Sequence, residues 1–180
     1  MTKYVALLRA INVGGHTVKM DNLRSLFEAM GFANVETFIA SGNVIFDSKS
    51  GSSKTLEGKI EKHLQENLGY EVKTFVRAIP ELKAVAAYKP FTDSELNKEG
   101  HALYIGFIAG HPGDQAKQKL LSFCSEIDDL HIQGREVYWL CRAKTMTDSK
   151  FSGALLEKIL GMRATFRNST TVKKIAAKYS

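Results

Sequence analysis

The sequence predicts an α+β protein made of two similar halves, and three observations predict it. Thr74-Phe75-Val76-Arg77 leads, five residues on, into Leu82–Ala87, and Thr165-Phe166-Arg167 leads, again five residues on, into Val172–Ala177. Arg77 and Arg167 stand 90 residues apart in a chain of 180. Strand-like and helix-like apolar patterns also recur in the same order on either side of a break at Lys89–Gly100.

Tyr4–Arg9 is a short apolar run that reads as a strand, followed by the loop Ile11-Asn12-Val13-Gly14-Gly15-His16. Met20, Leu23, Phe27 and Met30 then repeat at helical spacing, and Gly31 supplies a stop. Val35–Ile39 and Val44–Phe46 read as strands joined by Ala40-Ser41-Gly42-Asn43, which has hairpin-turn chemistry. Leu56, Ile60, Leu64 and Leu68 form the next helical stripe, ended by Gly69. Val72–Val76 is a fourth strand, and Glu81–Tyr88 a short helix begun near Pro80. Past the break, Leu103–Ile108 is a strand, and Asp114 is placed to cap a helix carrying Leu120, Leu121 and Phe123. Leu130–Ile132 and Val137–Cys141 flank the turn Gln133-Gly134-Arg135. Phe151, Leu155, Leu156 and Ile159 form a helix closed by Gly161, with Ser149 as its expected N-cap. Ala164–Phe166 is the last strand and Thr171–Lys178 the last helix.

Each half thus reads β-α-β-β-α-β-α, and the first six elements have the ferredoxin-like order. The expected architecture is two tandem ferredoxin-like halves, residues 1–90 and 100–180, each followed by a short helix and packed as one compact unit. The first strand is apolar on both parities, so both sheet faces should be covered.

Composition is that of a globular protein, with 44% hydrophobic and 24% charged residues. No apolar run approaches the roughly 20 residues needed to span a bilayer, and no signal-peptide pattern opens the chain, so the expected location is cytoplasmic with no membrane partner. Cys124 and Cys141 have neither CxxC nor metal spacing and sit in apolar segments, which predicts buried thiols and no metal site. The net charge of +6 is concentrated in residues 142–180, which hold nine Lys or Arg against two acids. That concentration suits a small anionic or phosphate-containing ligand, or nucleic acid bound electrostatically, as partner. A solvated lysine-rich helix face is the alternative.

Two polar loop clusters are candidate ligand sites. In the expected topology the loop after the first strand and the first hairpin lie at one end of the sheet. Arg9, Asn12, Gly14 and Gly15 then approach Ser41 and Asn43. Glycines admit close backbone approach, and Arg offers a bidentate grip on an oxyanion. The second cluster is Arg167-Asn168-Ser169, where Asn168 or Ser169 caps a helix and leaves free N–H groups beside Arg167. Lys173, Lys174 and Lys178 avoid the apolar stripe of that helix and should face solvent. Nucleotide-binding, metalloprotease and serine-hydrolase patterns are missing, so an enzyme reading rests on His16 and some polar loop residues, and no cofactor is implied.

The same loops carry a resemblance. Leu7-Leu8-Arg9-Ala10-Ile11-Asn12-Val13-Gly14-Gly15 resembles the LLRGINVGG opening of an uncharacterised bacterial family, domain of unknown function 1697. The likeness continues through Met20–Leu23, Gly31-Phe32, Ile39–Val44, Lys89-Pro90-Phe91, Ser149-Lys150 and Thr165–Thr171. It implies two ferredoxin-like halves and no established activity. Its recurring polar positions correspond here to Arg9, Asn12, Ser41, Asn43, Lys150, Arg167, Asn168 and Thr171. Ala10 stands where the family usually has Gly, Ala40 where a polar residue is usual, and Ser169 where Trp commonly follows Arg-Asn.

Overall fold

The structure is a computed structural model that describes residues 1–12, 15–39, 42–49, 51–142 and 149–180. Its first half runs β1 (Thr2–Leu8), α1 (Met20–Ala29), β2 (Ala33–Thr37), β3 (Asn43–Ser48), α2 (Ser53–Leu68), β4 (Thr74–Ala78) and α3 (Ile79–Ala87). A short helix, α4 (Asp93–Leu96), follows. The second half runs β5 (Ala102–Ile108), α5 (Asp114–Leu121), β6 (Asp128–Gln133), β7 (Glu136–Cys141), α6 (Gly153–Leu160), β8 (Ala164–Asn168) and α7 (Ser169–Lys178). The described residues form two four-stranded antiparallel sheets, in the orders β2-β3-β1-β4 and β6-β7-β5-β8, and seven helices.

By packing, the chain divides into Met1–Lys83 with Ile175–Ser180, and Ala84–Lys174. In the first unit, Tyr4, Ala6, Leu8, Val44, Phe46 and Val76 turn one sheet face toward Leu23 and Phe27 of α1 and Leu56, Ile60 and Leu64 of α2. Burying each Val, Leu, Ile or Phe among them contributes about 1.5–3 kcal/mol. The opposite face, with Val5, Leu7, Ile45 and Phe75, is also fully buried, as the two-sided apolar pattern of β1 requires. Edge strand β4 is protected by α2. Glu57 Oε2 accepts the Val76 N–H at 2.9 Å and Glu61 Oε1 the Thr74 N–H at 3.2 Å, so carboxylates occupy edge donors that a further strand would otherwise seek.

In the second unit, Val137, Trp139 and Cys141 of β7 face Leu156 and Leu160 of α6 and Leu120 of α5. On the other face the Tyr138 hydroxyl donates to Val85 O at 3.0 Å, and Tyr88 lies against the Tyr138 and His131 rings. Burial pushes the Tyr138 phenol far above its ordinary value.

Several details differ from the sequence reading. Strand β8 extends to Asn168 because β5 pairs along its whole length, down to Tyr104↔Asn168, which places Arg167 in a strand rather than a loop. The break at Lys89–Gly100 contains α4, capped by Thr92, whose hydroxyl accepts the Glu95 N–H at 3.2 Å. Ser152, not Ser149, caps α6. Asp114 enters the first turn of α5 behind Gly113. Cys141 is buried, but Cys124 is exposed.

Candidate functional site

The end of β1 and the β2–β3 hairpin meet, as the strand order dictates. Leu8 N–H donates to Gly42 O at 2.9 Å. A Cβ at Gly42, where φ is +80°, would lie 3.0 Å from Ile11 Cγ2 and 3.1 Å from Leu8 Cβ, so only glycine fits there. Arg9, half-buried, is fixed through its backbone N–H to Lys73 O at 2.9 Å. Asn12 Oδ1 accepts the Val18 N–H at 2.8 Å and so ties the two ends of its loop. Asn43 is 1% exposed and its amide donates to Phe38 O at 3.0 Å across the hairpin. Gly15 is exposed. Gly14 and Ser41, with the turn residue Ala40, lie outside the described residues. The cleft between these loops, lined by Asn12, Val18, Thr37, Ile39 and Asn43, has a volume of about 20 Å³, room for a water molecule. His16 is exposed and stacks on Tyr70 with ring centres 3.8 Å apart. The Tyr70 hydroxyl donates to Ile11 O at 2.9 Å, and burial raises that phenol above its usual range.

Ala10 has φ +55°, a conformation that costs a side-chain-bearing residue about 1 kcal/mol. Ala10→Gly should raise the denaturation midpoint by an amount equivalent to about 0.5–1 kcal/mol.

The second cluster is built by β8 and the start of α7. Arg167 is 8% exposed and pairs with Ile105 in the ladder. Its Nη1 donates to Thr165 Oγ1 at 2.7 Å and to Phe166 O at 3.0 Å, and burial pulls its pKa down to about 10. Arg77 holds the same ladder position in the first sheet, opposite Val5, with its Nε 3.2 Å from Glu81 Oε1 on the first turn of α3. Four residues after Arg167 stands Thr171, half-buried on the first turn of α7. Exposed Asn168 caps that helix by accepting the Thr170 N–H on Oδ1 at 2.9 Å. Asn168, Ser169, Thr170 and Lys173 face His101, Asn97 and Leu96 around a cavity of about 220 Å³. Lys173, Lys174 and Lys178 are exposed, as expected.

Segment 89–101 walls this cavity and is pinned by charge. Arg142 Nη2 donates to Glu95 Oε1 at 3.0 Å and to Asp129 Oδ2 at 3.3 Å, and that hydrogen bond holds the Glu95 carboxyl below its ordinary value. His101 Nδ1 is 2.7 Å from Glu95 O. Sequence reasoning missed this segment, although Thr92-Asp93-Ser94-Glu95 has the capping-box spacing that announces a helix start.

Lys150 is exposed at the rim of a separate cavity of about 280 Å³, beside Ser125, Glu126 and Asp128. Its neighbour Ser149 lies 2.7 and 2.8 Å from the two carboxylate oxygens of Asp128. Asp128 is 2% exposed and also accepts the Trp139 indole N–H at 2.8 Å. Nothing in the sequence singles out Asp128, because its partners lie 11 and 21 residues away. Among the described residues no group of three or more His, Cys, Asp or Glu is placed to hold a metal ion, and no helix is long and apolar enough to cross a membrane.

Residues 1–138 match the family model described as "Protein of unknown function (DUF1697)". The chain belongs to the DUF1697 family. The structure is also similar to that of the conserved bacterial protein SP0830 from Streptococcus pneumoniae, with a TM-score of 0.79 over 98% of this chain and 97% of that one. At 24% identity, that likeness shows a shared fold. No protein of curated function matches the chain.

Proposed function

We propose that this DUF1697 protein is a cytoplasmic binder of a small oxyanion, a phosphate or carboxylate compound, and that the ligand enters the cavity where β8 meets α7. The observation that carries this reading is the 220 Å³ space lined by Asn168, Ser169, Thr170, Lys173 and His101. Lys173 supplies an exposed cation and Asn168 a side-chain amide. Arg167, one residue upstream and still protonated at neutral pH with a pKa of about 10, adds positive potential. Thr171 completes the first turn of α7. The lining has no Phe, Tyr or Trp on which a nucleobase would stack, which favours a ligand that is all anion and short carbon chain. The Arg9, Asn12, Gly15 and Asn43 cluster is read as the framework of its loops, since Asn12 and Asn43 spend polar groups on backbone partners and the space between them is ten times smaller.

The two halves are further read as ferredoxin-like repeats. Support comes from the identical strand orders and from equivalent rows across the sheets: Glu36, Ile45, Val5 and Arg77 in one, His131, Tyr138, Ile105 and Arg167 in the other.

Calorimetric titration with inorganic sulfate tests the site. Lys173→Ala should weaken binding about tenfold, the loss of one charge-assisted hydrogen bond, with an unchanged circular dichroism spectrum. Unaltered sulfate affinity in Lys173→Ala would place binding elsewhere. Exposed Lys173, Lys174 and Lys178 sustain nucleic acid as a second reading; it requires affinity that falls steeply with salt and with removal of these lysines.

A further inference from the structure

His101 is tethered in one tautomer. Its Nδ1 lies 2.7 Å from the backbone carbonyl of Glu95, an acceptor only, so Nδ1 carries the hydrogen at every pH at which this contact holds. Nε2 is then the ring nitrogen at the opposite edge of an imidazole that lines the 220 Å³ cavity. With the ring neutral, Nε2 offers a lone pair, which repels an oxyanion. With the ring protonated, Nε2–H becomes a donor.

We propose that His101 is a ligand-contacting residue of this cavity and that its protonation switches the cavity from anion-repelling to anion-accepting. The inference rests on the binding reading above and adds a direction to it: the ligand is an anion held more tightly in mildly acidic than in alkaline solution.

The charged groups around the ring act on this switch from each element packed against it. On α4, Glu95 Oε2 lies 3.6 Å from Nδ1. That carboxylate is shared with Lys98 at 3.7 Å and with Arg142, which follows β7, at 3.0 Å. Arg142 is shared in turn with Asp129 of β6 at 3.3 Å. Lys173 of α7 lines the same cavity. The protonated ring donates to a bound oxyanion and the neutral ring does not, so anion and proton favour each other by linkage.

Sulfate keeps its charge across the working range and is the appropriate probe. The dissociation constant should be about fivefold or more lower at pH 5.5 than at pH 8.0 in the wild-type protein. His101→Asn preserves an N–H near the Nδ1 position and removes Nε2, so its affinity should lie near the wild-type pH 8.0 value at both pH values. In the wild type, the nuclear magnetic resonance titration midpoint of the His101 ring should move upward when sulfate is saturating. Sulfate binding that is equal at both pH values, or pH dependence that survives His101→Asn, overturns the switch and leaves the anion site standing. Absence of sulfate binding at both pH values overturns both.

Discussion

Arg77→Ala should destabilise the protein by about 3–5 kcal/mol, measured as the free energy of urea unfolding. Against the 5–15 kcal/mol typical of a folded domain, that loss leaves a substantial unfolded fraction at 37 °C. Arg77 is 0% exposed, the largest fully buried side chain described in the chain. Its guanidinium is engaged on two sides, with Nε 3.2 Å from Glu81 Oε1 and Nη1 donating to Val76 O at 3.1 Å. Truncation therefore opens a cavity against the fully buried face of the sheet and also leaves a buried carbonyl short of its donor. Glu81→Ala should cost less, about 1–3 kcal/mol, because the 39% exposed glutamate leaves little cavity behind and the loss is that of one charged partner of the guanidinium. Arg77→Met, which keeps most of the volume, should fall between the two. A cost below 1 kcal/mol for Arg77→Ala would show that the buried arginine does not organise the sheet.

Asp128→Ala should cost about 2–4 kcal/mol and shift the emission of Trp139, the chain's single tryptophan. Trp139 is 3% exposed and donates its indole N–H to Asp128 at 2.8 Å. Removing the acceptor takes away the carboxylate partner of that N–H, which lies among the rings of Tyr104, Phe151 and Phe166. The same carboxylate holds the Ser149 hydroxyl, which also accepts the Phe151 N–H at 3.1 Å, so the approach to α6 loosens together with the indole. Ser149→Ala separates the two effects. It should cost about 1 kcal/mol and leave the emission nearly unchanged, since the indole bond persists. Unchanged emission in Asp128→Ala would mean that Trp139 finds another acceptor.

Local patterns made much of the fold legible. The two-sided apolar β1 announces a strand buried on both faces, and Val5 and Leu7 are fully buried opposite Ala6 and Leu8. Gly69 and Gly161 stop their helices in left-handed conformations, as their positions after the apolar stripes suggest. The Arg77–Arg167 echo falls at one ladder position in two sheets of the same order. What escaped were features set by distant partners. Ser149 looks like a helix cap, but a buried carboxylate 21 residues earlier takes its hydroxyl. Cys124 sits in an apolar-looking segment, yet it lies past the C-terminal end of α5 and is exposed.

The candidate site shows the same division. Sequence grouped Arg167, Asn168 and Thr171 because they are adjacent, and the strand-to-helix junction keeps Asn168 beside the cavity. It had no means to bring in His101 and Asn97, which reach that cavity from a segment some 70 residues away, folded back by the Thr92 cap and the Arg142–Glu95 pair. Asn12 and Asn43 have the same composition whether they hold a ligand or a backbone group. Only the loop geometry commits them to Val18 and Phe38.

The most direct test of the binding claim is a sulfate titration of the amide nuclear magnetic resonance spectrum at pH 5.5. Saturable shifts centred on His101 and Asn168–Lys173, lost in Lys173→Ala, are expected. Shifts confined to Arg9–Val18, or none near α7, would contradict it.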